Sequence, residues 1–381
     1  MLEFETQRLD VLDTRLDHEP LGEQYLAVLR AFVNETVREN AFYRARFDRA
    51  KIDPATLTSF DEFQRIPLLG PGEVSALDEL ALVPERYASR MRDNLRALPP
   101  AERFAKKFCT SGSTGNPKIS FYTVADWDDT LDTHLRLLQH VPEQAYHRLL
   151  NFFHPGHFGG KVFEDFPNRS GFHAECVHFA NDRAKTLRQF YRGTQVLGGF
   201  TAIAIPPRTP AGTTSKGGAG ITLEELLELD TENFIGRNIR LIVTSGAPRD
   251  LESQALLEQV WEVNELAKSP RTRFVDIYGF SEIAGPAAAE CEYNDGAHFL
   301  PGMTYLEVLD EKSGKPVEHG QTGLVVATGL KRGSRYIRYQ VGDEATFIAE
   351  PCRCGRATPR IKNVKRVIDQ SRLIDGCAAG W

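Results

Sequence analysis

Nine consecutive residues, Thr110-Ser111-Gly112-Ser113-Thr114-Gly115-Asn116-Pro117-Lys118, place four hydroxyls and two glycines ahead of a cation. Glycine lets backbone N–H groups approach a ligand closely, hydroxyls and N–H groups can wrap phosphate oxygens, and lysine adds a point charge. The same composition also makes an ordinary polar turn. The stretch is not a Walker A loop, because Pro117 stands where the second glycine should be. A second set is Cys291, His298, Cys352 and Cys354. Three thiolates and an imidazole suit a closed tetrahedral Zn²⁺ site with no open position for water. Four unliganded, partly buried side chains are the alternative. Cys109 reads as a buried small apolar residue; Cys176 and Cys377 have no evident partner. No Ser-His or Cys-His nucleophilic pair is expected.

These residues need a scaffold, and 381 residues are enough for a large core. Hydrophobic content of 41% and charged content of 26% are ordinary for a globular chain. A net charge of -6 offers no attraction to nucleic acid or to an anionic membrane. No apolar run long enough to span a bilayer and no leader peptide is evident, so a cytoplasmic protein is expected. Residues 1–100 read as helical, with Tyr25, Val28, Leu29 and Phe32 on one face. Ile119–Tyr122 alternates like a strand, and a helix is expected over Asp126–His140. Leu149–Asn151 reads as a buried strand entering a bend rich in aromatic residues, His and Gly, Phe152–Gly160. Thr201–Ile205, Leu241–Ser245 and Phe274–Tyr278 are further strands, with helices from Leu223 and over Arg249–Leu266 between them. Pro206–Gly220 is expected to be a surface loop. Strand–helix–strand order predicts a parallel α/β layer, whose ligands bind beyond the carboxyl ends of the strands. Thr304–Leu309, Gly323–Thr328 and Glu344–Ile348 read as strands of a smaller β region.

The nine-residue stretch resembles the phosphate-gripping loop of the adenylate-forming enzymes, the acyl-CoA synthetases and adenylation domains. Further stations follow in that family's order. Tyr278-Gly279-Phe280-Ser281-Glu282 is similar to its Y-G-x-T/S-E motif, and Arg338-Tyr339-Gln340-Val341-Gly342-Asp343 to its R-Y-x-x-G-D motif. Ser245-Gly246-Ala247-Pro248 resembles the adenine-side turn, with Pro248 where relatives often carry Glu. Arg360–Asp369 resembles the hinge, with Lys365 in place of Gly and Ile368 in place of its first Asp. The leader, with its Phe42-Tyr43-Arg44 and Ile66-Pro67-Leu68-Leu69 segments, and the Cys291, His298, Cys352-Arg353-Cys354-Gly355-Arg356 pattern resemble the phenylacetate–CoA ligase branch.

The resemblance implies an α/β core with parallel and mixed sheets flanked by helices, plus a small β subdomain. In chain order it implies a helical leader (1–100), a nucleotide- and acid-binding core (101–300), a β subdomain with the zinc site (301–364) and a hinge stub (365–381). The mobile C-terminal domain that relatives carry after this point is expected to be absent, so thioester formation by this chain alone is expected to be slow. The implied reaction is attack of a carboxylate on the α-phosphorus of Mg·ATP, giving an acyl adenylate and pyrophosphate. Lys118, Ser281 and Glu282 would be the catalytic residues, with Glu282 holding Mg²⁺. Thr110, Ser111, Ser113, Thr114, Gly115, Ser245, Gly246, Ala247, Pro248, Tyr278, Gly279, Asp343 and Arg366 would hold the nucleotide. Asp343 would accept the ribose hydroxyls and Tyr278 would stack on adenine. Phe152, His154, Phe158, Gly159 and Phe280 would line an aryl or arylacetic acid pocket. CoA or a carrier protein is the expected acceptor, and a homodimer is among the candidate assemblies. The alternatives are a catalytically reduced nucleotide-binding remnant, and an adenylating enzyme with another acceptor, as in the deazaflavin-coenzyme-adenylating and capsule-biosynthesis relatives.

Overall fold

The computed structural model describes residues 22–93, 95–109, 118–137, 148–154, 156, 158–165, 173–176, 201–208, 221–246, 251–283, 285–300, 302–367 and 369–373. Two compact units divide the chain: residues 1–130, 280–288 and 298–381 form the first, and 131–279 with 289–297 the second. The leader expected over 1–100 therefore shares a unit with the C-terminal strands.

The first unit begins with α1 (Glu23–Glu39) and α2 (Ala41–Ala50). Tyr25, Val28, Leu29, Phe32, Tyr43 and Phe47 are buried, as their helical spacing predicts. Asn40 between the helices accepts from the Tyr43 N–H at 3.1 Å, satisfying a helix-end donor, and its amide donates to the carbonyls of Ala81 and Val83 at 2.9 and 3.1 Å. Ser59 caps α3 (Phe60–Gln64), its Oγ accepting from the Glu62 N–H at 3.2 Å. Gly70-Pro71-Gly72 enters a short helix, α4 (Pro71–Ser75), because proline is tolerated at a first helical position. After α5 (Glu85–Asp93), β1 (Phe104–Cys109) pairs antiparallel with β2 (Ile119–Thr123), with Cys109 opposite Ile119. Cys109, expected to be buried, is exposed, because it follows the buried Phe108 and so takes the other face of the strand. The helix expected from Asp126 starts two residues earlier, as α6 (Val124–Leu137). Its first turn is fixed reciprocally: the Asp126 N–H donates to Thr123 Oγ1 at 3.1 Å, and the Thr123 N–H to Asp126 Oδ2 at 3.0 Å.

The second unit is the parallel layer. It contains β3 (Arg148–Asn151), α7 (Phe158–Asp165), β4 (His173–Cys176), β5 (Ala202–Ile205), α8 (Leu223–Leu229), α9 (Phe234–Asn238), β6 (Leu241–Ser245), α10 (Leu251–Leu266) and β7 (Arg273–Tyr278). The strands lie in the order β4-β3-β5-β6-β7, each pair parallel. Ile203, Ile205, Ile242 and Phe274 from the strands pack with Leu223, Leu226, Leu257 and Val260 from the helices in one buried cluster. A capping box starts α8: Thr222 Oγ1 accepts from the Glu225 N–H and the Glu225 carboxylate from the Thr222 N–H, both at 3.2 Å. One expectation needs correction. The bend predicted through Phe158–Gly160 is instead the first turn of α7, with Gly159 and Gly160 buried inside it. Their lack of side chains had read as a turn signal, whereas buried packing overrides glycine's weak helix propensity.

β8 (Ala288–Glu290) and β9 (Ala297–Phe299) lead to β10 (Thr304–Leu309), β11 (Thr322–Gly329), β12 (Tyr336–Ile348) and β13 (Arg360–Arg366). The last four pair antiparallel in chain order, in the first unit, as the small β region was expected to do. Gly342 and Asp343 lie inside the 13-residue β12. Gly342 has φ 82°, and the register of β12 shifts against both neighbours, so the strand is locally irregular there. Among the described residues, no helix is long and apolar enough to cross a membrane.

Candidate active site

Lys118 leads into β2 and Glu282 stands in the turn after Phe280; both belong to the first unit. Both are buried, with Lys118 Nζ 3.9 Å from Glu282 Oε1. The Tyr339 hydroxyl donates to the same oxygen at 3.2 Å, and the lysine ammonium lies 5.8 Å from the Tyr339 ring centroid. Ser281 Oγ is 3.5 Å from the other carboxylate oxygen. Burial lowers the pKa of Lys118; the Glu282 carboxylate opposes that shift and Arg366 adds to it. Burial raises the Tyr339 phenol, and the neighbouring Glu282 charge pushes it the same way. A few residues along, Asp343 on β12 is paired with Arg366 on β13: Arg366 Nη1 donates to Asp343 Oδ1 at 3.1 Å and to the Val341 carbonyl at 2.9 Å. A Cβ on Gly342 would lie 3.3–3.4 Å from the Arg366 guanidinium, so the glycine leaves that side chain its place. The arrangement offers a carboxylate, two cations and an acceptor for hydroxyls, which is the equipment for a metal-bound polyphosphate and a sugar.

In the second unit, Ser245 ends β6 and Tyr278 ends β7, and Ser245 is in register with Ile277. Their polar ends thus emerge at the same edge of the parallel layer, where such sheets bind ligands. Just inside, Thr244 Oγ1 donates to Asp276 Oδ1 at 2.6 Å. Gly246 follows with φ 83°, a conformation glycine adopts without strain. Phe152, expected to line the acid pocket, is 1% exposed and packs with Leu150, Ile203 and Ile205 in the unit's core. His154 is exposed, its Nδ1 accepting from the Gly156 N–H at 3.0 Å. Thr110, Ser111, Ser113, Thr114, Gly115, Ala247 and Pro248 lie outside the described residues.

No protein-family model matches the chain. It is 27% identical over 361 residues to a phenylacetate–coenzyme A ligase of Thermus thermophilus, covering 93% of this chain and 72% of that protein. It is 25% identical over 329 residues to the Escherichia coli K12 protein of the same name, covering 84% and 65%. Across four such relatives the chain spans between 63% and 72% of their length. The crystal structure of an open 2-hydroxyisobutyryl-CoA ligase in complex with 2-HIB-AMP and CoA superposes with a TM-score of 0.68 at 19% identity, over 94% of this chain and 74% of that one. The sequence is thus similar to phenylacetate–coenzyme A ligases, and the fold is that of the solved ligase.

Sequence reasoning passed over several residues around this site. Tyr339 was legible only as part of its motif, yet its hydroxyl bonds Glu282. Arg338 beside it faces the other way. It makes a bidentate ion pair with Glu307, both contacts 3.0 Å, and donates to the carbonyls of Gln64 and Ile66. Lys331 is fully buried, and burial pushes its pKa down to about 7 against the pull of Asp126 and Glu282. Nothing local in Gly329-Leu330-Lys331-Arg332-Gly333 distinguishes that lysine from a surface one.

The metal-ligand candidates divide between the units. His298, Cys352 and Cys354 belong to the first, and their ligand atoms lie within 4.8 Å of one another. Cys354 Sγ is 3.4 Å from His298 Nε2. His298 Nδ1 faces the Thr358 carbonyl at 3.2 Å, so the tautomer that donates there leaves the Nε2 lone pair toward the thiol. Gly355, with φ 85°, closes the turn through its N–H to the Cys352 carbonyl at 3.0 Å. Cys291 is buried and belongs to the second unit. Two thiols and an oriented imidazole are a soft donor set suited to zinc.

Proposed function

We propose that this chain activates a carboxylic acid by adenylation. The observation that carries the reading is the cluster of Lys118, Glu282, Tyr339, Asp343 and Arg366 in one unit. A carboxylate oxygen of the acid attacks the α-phosphorus of Mg·ATP; the bond to the bridging oxygen breaks, and pyrophosphate leaves with that electron pair. The protein's contribution is positioning and charge neutralisation, without a covalent nucleophile.

Glu282 contributes oxygen to the Mg²⁺ that arrives with ATP, and Lys118 turns from Glu282 to a phosphate. Ser281 and the stretch Thr110, Ser111, Ser113, Thr114 and Gly115 bond phosphate oxygens. Asp343 accepts the ribose hydroxyls, with Arg366 beside it. Tyr278 and Gly279, with Ser245, Gly246, Ala247 and Pro248, take the adenine side. His154, Phe158, Gly159 and Phe280 face an aryl or arylacetic acid, and the acceptor is CoA or a carrier-protein thiol, in the cytoplasm. Acid-dependent exchange of pyrophosphate into ATP, run across phenylacetate and a panel of aryl acids, tests this. Lys118→Ala should lower exchange by roughly a hundredfold, the scale of one lost transition-state contact. Absence of exchange with every acid tried, alongside intact ATP binding, would return the chain to the class of nucleotide-binding remnants.

Cys291 joins His298, Cys352 and Cys354 in holding a structural zinc ion whose four protein ligands leave no open position. Metal analysis of the purified chain should find one zinc per chain and Cys354→Ser should lose it. A metal-free wild-type chain with unchanged thermal stability would rule the site out.

A further inference from the structure

The turn that carries Glu282 is backed by two side chains of β2, and a buried lysine touches both. Three consecutive carbonyls of that turn are engaged by two side chains of β2. Ser120 Oγ donates to the Glu282 carbonyl at 3.1 Å. The Tyr122 hydroxyl lies 3.0 Å from the Ser281 carbonyl and 2.5 Å from the Ile283 carbonyl. Lys331 touches both of those side chains. Its ammonium donates to Ser120 Oγ and lies 3.9 Å from the Tyr122 ring centroid, with the Tyr336 ring at 5.7 Å on another side. A hydroxyl that accepts from an ammonium has its own hydrogen committed elsewhere, here to the Glu282 carbonyl.

The lysine backbone is clamped as well. Asp126 accepts from the N–H groups of Arg332 and Gly333 at 2.8 and 2.9 Å. Ser334 exchanges hydrogen bonds with Phe121, both at 3.0 Å. A Cβ at Gly333 would stand 2.1 Å from the Phe121 carbonyl oxygen, so only glycine permits this approach to β2. All these residues belong to the first unit.

We propose that Lys331 is a positioning residue: through Ser120 and Tyr122 it sets the Ser281–Ile283 turn so that the Glu282 carboxylate is presented to the metal of Mg·ATP. The inference rests on the proposed role of Glu282. It differs from a general stabilising role because it concerns one ligand, the metal-bound triphosphate. AMP without metal does not use the Glu282 carboxylate.

The test is calorimetric binding of ATP with Mg²⁺, and of AMP with EDTA, to the full chain and to Lys331→Met, Ser120→Ala and the double variant. Methionine keeps the apolar stem over Tyr122 and removes the donor. Lys331→Met should weaken Mg·ATP binding by roughly tenfold, the scale of one charge-assisted hydrogen bond, and leave AMP binding within about twofold. Ser120→Ala should do the same, and the double variant should be no worse than Lys331→Met alone, because the two act in series. If Lys331→Met does not fold, Ser120→Ala carries the test. Wild-type Mg·ATP affinity in Ser120→Ala, or equal weakening of Mg·ATP and AMP, overturns the relay. Glu282→Gln separates the two claims. If it weakens Mg·ATP while Lys331→Met and Ser120→Ala do not, only the relay falls; if it binds Mg·ATP normally, the metal role of Glu282 falls and the relay with it.

Discussion

Arg338 and Tyr339 are neighbours in one motif and in one strand, yet they serve opposite ends. Arg338 is saturated: both its outward nitrogens on one edge meet Glu307, and the rest of its fork takes carbonyls of the leader. Its φ of 47° lies in the left-handed region, a conformation retained where the surroundings over-determine it. The Lys118–Glu282 pair across from Tyr339 is loose by comparison, at 3.9 Å, with a phenol sharing the carboxylate. Arg335, just before β12, also pairs with Glu35 of the leader and bonds Thr36 Oγ1 at 3.0 Å, but its buried Nε has no partner, so it is less complete than Arg338. The lesson is one of completion. A charge pair whose every donor is used holds the fold, whereas a pair left long and shared can exchange partners when a ligand arrives.

That contrast can be broken. Arg338→Ala would leave Glu307 buried and unpaired, at a cost of roughly 3–5 kcal/mol of stability, read by denaturant unfolding. Glu282→Gln should do the reverse, lowering pyrophosphate exchange by about a hundredfold or more while the unfolding midpoint moves little. Equal stability losses in the two variants would erase the distinction.

A smaller effect concerns pH. Lys331 faces Asp126 from α6, Glu282 from its turn, Tyr122 from β2 and Tyr336 from β12. Its folded pKa of about 7 lies below its ordinary value of 10.5. Between those values the unfolded chain holds a proton that the native chain has released, so this group adds stability as pH rises through the window. Its contribution to the slope is at most about 1.4 kcal/mol per pH unit. Compared from pH 6 to pH 10, the wild type should gain stability relative to Lys331→Met as pH rises; a constant difference would show that the lysine does not titrate there.

Much of this was legible in the residues. Helical spacing located α1, buried runs located β3, β5, β6 and β7, and the motif wording pointed to Lys118, Glu282, Asp343 and Arg366. The failures have physical causes. Phe158-Gly159-Gly160 reads as a bend because glycine's local preference is visible and the burial that overrides it is not.

What the sequence determined by itself was chemistry carried by short, local words: a hydroxyl- and glycine-rich stretch before a lysine, an acid after a strand end, cysteines at close spacing. Tertiary structure decided how the charges were divided. Arg338 met Glu307 and Lys331 met Ser120 because strands distant in the chain brought them together. Burial then made each unmet donor costly, and that cost, invisible along the chain, separates a lysine that holds a turn from one that faces solvent.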